Sequence, residues 1–371
     1  MAASTTTSEP KQNASLGWVK SNLALLVVVL ILVALPFAIG LANGDSIGDV
    51  LGNESGNSKF IQGLMIEVFI LAVFAISYDL VLGITGLLSF GHAMFFAVGA
   101  YLTGILLKSF GWTLLPTIVA VIVAGIVQAL LFSIVLPRVK GITFALVTLG
   151  MASVFDILLG TRELAPYTGA DVGLQGIPRP ELLDPLSRLR FYFIALAFAV
   201  LIYLLYRRFV DSPTGRVCLA IHDNEGRARM LGFNTFYFKV AALTVASITA
   251  ALAGLLNALY KPIVSPEIAS MTYTVDGLLM ILIGGMGTLS GAMVGAAIYR
   301  LLEFYLFKWF GETAGFLLGA IYVSFVLFVP YGIVGTWRMR GFRWRQGWQR
   351  WMRLLGVKGQ ETGEQEGRKA P

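Results

Sequence analysis

A single cysteine, Cys218, in 371 residues rules out an intrachain disulfide. Charge is scarce as well: Asp, Glu, Lys and Arg together make up 13% of the chain. No lysine follows a glycine, so there is no Gly-Lys-Ser/Thr loop to cradle phosphate, and any ATP hydrolysis must come from a partner. His-Glu-x-x-His is absent, and so is a Gly-x-Ser-Gly nucleophile. With only His92 and His222 present, a histidine-based metal site is not expected. These absences leave no candidate catalytic residue, no metal ligand set, no cofactor and no nucleic-acid partner. The chain does not read as an enzyme.

What it has in abundance is apolar length. Hydrophobic residues make up 57% of the sequence. They gather in charge-poor runs long enough to cross the ~30 Å hydrocarbon core as helices. Backbone groups in lipid must bond within their own segment, so these runs are read as helices rather than buried strands. The expected fold is all-α: a polytopic integral membrane protein with about ten transmembrane helices, some short or broken. Residues 1–20 are polar, with Lys11 and Lys20 as the only basic groups. The apolar run Leu23–Leu41 exceeds a signal peptide's core, and no small-x-small cleavage site follows, so a retained first helix is expected.

Short loops rich in Lys and Arg stay in the cytosol. That rule places inside the segment 207–239, with Arg207, Arg208, Arg216, Arg227, Arg229 and Lys239 against Asp211, Asp223 and Glu225. The basic, acid-free stretch Trp337–Lys358 and the turn Pro137–Lys140 go inside too. Asp45, Asp49 and Glu54 mark the loop after the first helix as external. Seven crossings fit 22–42, 60–81, 86–107, 113–136, 141–160, 190–207 and 237–260; three more fit 274–286, 289–307 and 313–335. The eighth is short: thirteen residues reach only about 20 Å. The resulting organisation is a cytosolic segment 1–20, a membrane domain 21–335 with a cytosolic loop 207–239, and a basic cytosolic tail 336–371. In the tail, Trp344, Trp348, Trp351 and Leu355 share one helical face opposite Arg343, Arg345, Arg350 and Arg353, the pattern of an interfacial helix that contacts lipid. Beyond Lys358 the composition predicts disorder.

Two glycine-rich breaks interrupt the apolar runs, Gly83–His92 and Gly284–Gly291. Broken helices are common at the substrate sites of transporters. Asp79, Gly86, Ser89, Gly91 and His92 at the first break, Gly284, Gly285 and Gly287 at the second, and Asp276, which is expected to open the short eighth segment, are therefore candidates for lining a translocation path. Close helix packing is the other reading of the glycines, and of His92 as a hydrogen-bonding neighbour. Glu67, Asp156, Arg300 and Glu303 also fall at membrane depth, where ionisable groups are costly. Arg300 and Glu303, three residues apart, are placed to pair with each other.

The polar segment 207–239 stands between two uncharged runs, Phe191–Tyr206 and Val240–Tyr260. Asp211 or Ser212 fits an N-cap, with Pro213 at the first helical position. A second short helix fits Asn224–Leu231, closed by Gly232, after which Asn234 or Thr235 caps the next membrane helix.

Four blocks, SYDLVLGITGLLSFGHAMFFAVGAY (77–101), AIHDNEGRARMLGFNTFYFKVAAL (220–243), ALAGLLNALYKPIVSPE (251–267) and LIGGMGTLSGAMVGAA (282–297), resemble the branched-chain amino-acid family of ATP-binding-cassette importer permeases, most nearly the M-type subunit. The resemblance runs from about residue 60 to 335. It implies a channel-forming subunit in a bacterial inner membrane, both termini cytosolic, which carries amino acids with a sibling permease, cytosolic ATPase subunits and an extracellular or periplasmic binding protein. Glu225, Gly226, Arg227 and Ala228, with Gly232 following, resemble the Glu-Ala-Ala…Gly signature through which such permeases couple to the ATPase, although Gly226 stands where that signature prefers Ala. The family usually has Glu where this chain has Asp276. Leucine-type amino acids, other amino acids, and amides or urea all stay open as substrates; the urea branch tends to carry Arg at Met286, which favours amino acids. The rival reading is an ion-coupled secondary transporter, which has no need of the polar segment.

Overall fold

The computed structural model describes residues 14–338 apart from 43, 45, 53–55, 181–182 and 330. The interfacial helix expected in the tail therefore lies outside the described residues. The chain forms two units, one up to Gly63 and one from Leu64 onward. The first holds α1 (Ala14–Ala42), α2 (Ile47–Leu51) and the opening of α3 (Gly56–Asp79). There the Ser58 hydroxyl donates to the carbonyl of Pro36 and accepts from the Gln62 amide.

The second unit begins within α3, which ends in one π-helical turn, Leu80–Ile84. Then come α4 (His92–Lys108), α5 (Leu114–Ser133) and α6 (Ile142–Leu159). A short α7 (Ala165–Thr168) precedes strand β1 (Leu174–Gln175) and α8 (Arg188–Asp211). α9 (Pro213–Met230) is the polar segment, and α10 (Thr235–Tyr260) follows it. Strand β2 (Ile263–Val264) pairs antiparallel with β1, tying the two loops that carry them. α11 (Met271–Gly284), α12 (Ser290–Phe310), α13 (Ala314–Phe328) and α14 (Gly332–Arg338) complete the described chain.

Ten apolar helices, α1, α3–α6, α8 and α10–α13, follow the order of the expected crossings. Among the described residues, seven stretches are long and apolar enough to span a membrane, the last covering α12 to α14; α4 and α11 are shorter apolar helices. Outward-facing Leu115, Ile157, Leu201 and Phe316 are 62–81% exposed, a surface that suits lipid and not water. Two boundaries differ from expectation. The third helix starts at His92, not 86, because residues 86–89 run without helix behind the π turn. Asp276 lies in the second turn of α11 and does not open it.

The core forms where α10 packs on α4 and α5. Gly99 and Gly254 make the α4–α10 crossing close. A Cβ on Gly99 would strike the Ala251 carbonyl, and one on Gly254 the Phe96 carbonyl. Lipid tails are as apolar as leucine, so this seam gains from dispersion between closely spaced backbones.

Candidate translocation site

The two glycine breaks, about 200 residues apart in sequence, meet in space. Asp79, the last residue of α3, is fully buried. Its Oδ1 accepts the Gly287 N–H at 2.7 Å and its Oδ2 the Leu289 N–H at 3.1 Å. Both donors lie just ahead of α12, where unpaired N–H groups and the helix dipole favour negative charge. Gly83 has to be glycine here, since a Cβ would collide with the Asp79 carboxylate and the Gly287 backbone. Gly285 and Gly287 take φ of +117° and +74°, which bulkier residues avoid, and Leu289 sits at +37°. Gly284 is buried, its Cα facing the carbonyl of Gly291 as the turn doubles back.

His92 opens α4 and is fully buried. Its Nε2 hydrogen-bonds the Ser77 hydroxyl at 2.9 Å, and its ring stacks on Tyr78 at 4.6 Å and 14°. Tyr78 in turn donates to the Ser89 carbonyl at 2.7 Å. Gly91 abuts the carbonyl of Thr148 on α6, and the Ala93 N–H reaches the Thr274 hydroxyl of α11 at 3.1 Å. His92 is thus hydrogen-bonded and stacked on α3, while its neighbours Gly91 and Ala93 contact α6 and α11.

Gly86 points the other way. It is exposed, with φ +76°, and its Cα faces the His222 ring of α9. Lys140, Phe144 and Ile221 share the small cavity around it. The first break therefore touches the polar segment directly.

Within that segment the capping chemistry is as expected. The Ser212 hydroxyl accepts the Gly215 N–H at 3.2 Å, with Pro213 at the first helical position. Asn224 leaves helical geometry (φ −164°, ψ 100°) and divides α9 in two; its Oδ1 accepts the Arg227 N–H at 2.9 Å and caps the second half. Gly232 (φ +88°) closes it, and Asn234 caps α10 through the Phe236 N–H. Glu225 is turned inward. Its carboxylate meets Lys239 of α10 at 2.8 Å and Arg229 at 2.7 Å, and it accepts the Thr235 hydroxyl at 2.9 Å. Burial would raise its pKa. Hydrogen bonds from Lys239 and Thr235, the Lys239 charge and the Arg229 bond outweigh that and hold it at about 2. Ala228 is buried beneath, whereas Gly226, Arg227 and Gly232 face outward. So do Met230 and Leu231, 81% and 75% exposed at the tip.

Asp276 lies beside the Tyr299 hydroxyl. Near it Arg300 donates to Glu303 at 2.7 Å, the expected pair, and is also ion-paired with Glu67 of α3.

A family model described as the branched-chain amino acid transport system permease component matches residues 60–327. The chain belongs to this permease family. Two high-affinity branched-chain amino acid transport system permease proteins LivM, from Salmonella typhimurium and Escherichia coli, are each 29% identical over 293 residues, covering 71% of this chain and 67% of theirs. Escherichia coli LivH is 25% identical over 289 residues, 71% of this chain and 91% of its own. No solved structure matches significantly.

In this permease the partners that sequence reasoning passed over are Ser77 and Thr274. Gly83, Thr235 and Lys239 were singled out there as a break, a cap and a basic loop residue, but not for the contacts they make with Asp79 and Glu225.

Proposed function

We propose that the chain is the membrane-spanning subunit of an ATP-driven importer of branched-chain amino acids. On this reading a sibling permease completes the path, separate cytosolic ATPase subunits drive it, and an external binding protein delivers substrate. The family match and the named LivM and LivH relatives support the substrate class. The observation that carries the coupling is the build of α9. It is a capped, two-part helix clasped to α10 through Glu225 and in contact with Gly86 at the first break. Its outer tip offers Met230 and Leu231 between Arg227, Arg229 and Gly232, an apolar knob on a basic stem. Seated in the ATPase, that knob passes movement through His222 to Gly86 and through Lys239 to α10. Residues 207–239, and both termini, then lie in the cytosol.

The test is uptake by the reconstituted importer. Glu225→Arg, which sets like charge against Lys239 and Arg229, and Gly226→Pro, which breaks the second half of α9, should each abolish uptake and weaken ATPase retention. Normal uptake in both variants removes α9 from the mechanism.

A further inference from the structure

We propose that the cavity between the first turn of α10, the second half of α9 and the turn after α5 binds the phosphodiester headgroup of an anionic phospholipid, held by Arg229 and Lys239. Both α5 and α10 are long and apolar enough to span a membrane, and the cavity lies at their adjoining ends. That is the depth of lipid headgroups. The inference goes beyond the coupling role of α9, because it assigns a ligand to the place where that helix meets the bilayer surface.

The cavity measures about 400 Å³, within the roughly 300–1,000 Å³ of small-ligand sites. Arg229, Lys239 and Glu225 line its polar side, and Glu225 is the sole acid among the lining residues. One oxygen of that carboxylate takes three donors: Arg229 Nη2 at 2.7 Å, Lys239 Nζ at 2.8 Å and the Thr235 hydroxyl at 2.9 Å. Two positive charges therefore share one negative charge, and one positive charge is left over. A phosphodiester carries one negative charge and balances it. Donors are spare for it as well. Lys239 is 8% exposed, and an ammonium group has three N–H donors, of which one goes to Glu225. Arg229 commits Nε to Thr235 and Nη2 to Glu225, which leaves Nη1 without a partner among the described residues, on a side chain 53% exposed. Asn234, Thr235 and Phe236 bring the positive end of the α10 dipole to the same cavity.

The other wall is apolar. Leu136, Pro137, Phe233 and Phe236 complete the lining. Tyr237 beside it is exposed, and so are Leu130, Leu131 and Ile134 around the end of α5. Amphipathic tyrosine rings favour headgroup level, and the exposed leucines and isoleucine give acyl chains a surface to lie on. A free phosphate ion would use the cations and leave this wall in water, as would an acidic side chain of a soluble partner. A phospholipid satisfies both halves.

The test uses the full-length permease, assembled with its partners in phosphatidylcholine nanodiscs, with a fluorophore on Tyr237→Cys in a Cys218→Ser background. Quenching is followed as spin-labelled phosphatidylglycerol is added, or spin-labelled phosphatidylcholine, whose own ammonium cancels its phosphate. Half-quenching should need about fivefold less of the anionic lipid, the effect of one charge at a membrane surface. A fluorophore on Phe316→Cys, exposed on α13, should show no preference. Millimolar inorganic phosphate should not relieve the quenching. Arg229→Gln removes the surplus charge and should abolish the preference, whereas Glu225→Gln adds one and should widen it about fivefold further. These opposite signs separate a charge site from a structural one, since a disturbed clasp would act in the same direction in both variants. Equal preference at both fluorophores, relief by phosphate, or loss of preference in both variants would overturn the proposal. So would an unchanged preference in Arg229→Gln with a loosened ATPase, which would give the cavity to an acidic side chain of that partner.

Discussion

Removing the Asp79 carboxylate should open the junction between the two glycine breaks. Asp79→Ala leaves two N–H groups, the part-buried one of Gly287 and the buried one of Leu289, without their acceptor. Each orphaned donor costs about 1–3 kcal/mol, so the pair comes to about 2–6 kcal/mol. Water cannot easily replace the carboxylate, because the side chain is fully buried beneath Gly83. Asp79→Asn keeps one oxygen for one donor but turns an NH₂ toward the other, and should cost about half as much. The assay is hydrogen exchange of the peptide covering residues 284–292, by mass spectrometry in nanodiscs. With local opening easier by at least about 2 kcal/mol, exchange in Asp79→Ala should speed up about 30-fold or more. Asp79→Asn should fall between that and the unmodified chain. The positive φ of Leu289 sharpens the expectation, since the bond from its N–H holds it in that conformation. Exchange within threefold of the unmodified chain in Asp79→Ala would refute the reasoning.

Two further outcomes follow from other contacts. Glu225 is held at about 2, below its ordinary 4.5, so the clasp on α10 contributes fully above pH 4.5 and is lost as pH falls toward 2. Spin labels at Gly226→Cys and Tyr237→Cys, in a Cys218→Ser background, should keep one distance from pH 7 to 5 and separate only below about 4.5. Separation already at pH 6 would contradict this. Gly99→Val or Gly254→Val should force α4 and α10 apart at a cost of about 1–3 kcal/mol, read as a lower thermal midpoint of the detergent-solubilised chain.

Much of this permease was legible from its residues because the bilayer imposes strong one-dimensional rules. Helix number and order follow from run length and charge, since each spanning segment must satisfy its own backbone. Local chemistry was legible for the same reason: Ser212, Gly232 and Asn234 act on donors and acceptors within a turn, and Arg300 and Glu303 lie three residues apart on one helix. Tertiary structure alone decided who meets whom. Asp79 finds Gly287, Glu67 finds Arg300, Gly99 faces Ala251, and Glu225 turns inward to Lys239. In water, a helix betrays its buried face by the contrast between apolar and polar sides. In lipid both faces are apolar, so the pattern that names partners is missing. The start of α4 shows the same limit. The glycines of Gly83–His92 signalled a break but not its extent; residues 86–89 lie outside helix beside Gly83 and Asp79, which meet the turn from the other half of the chain.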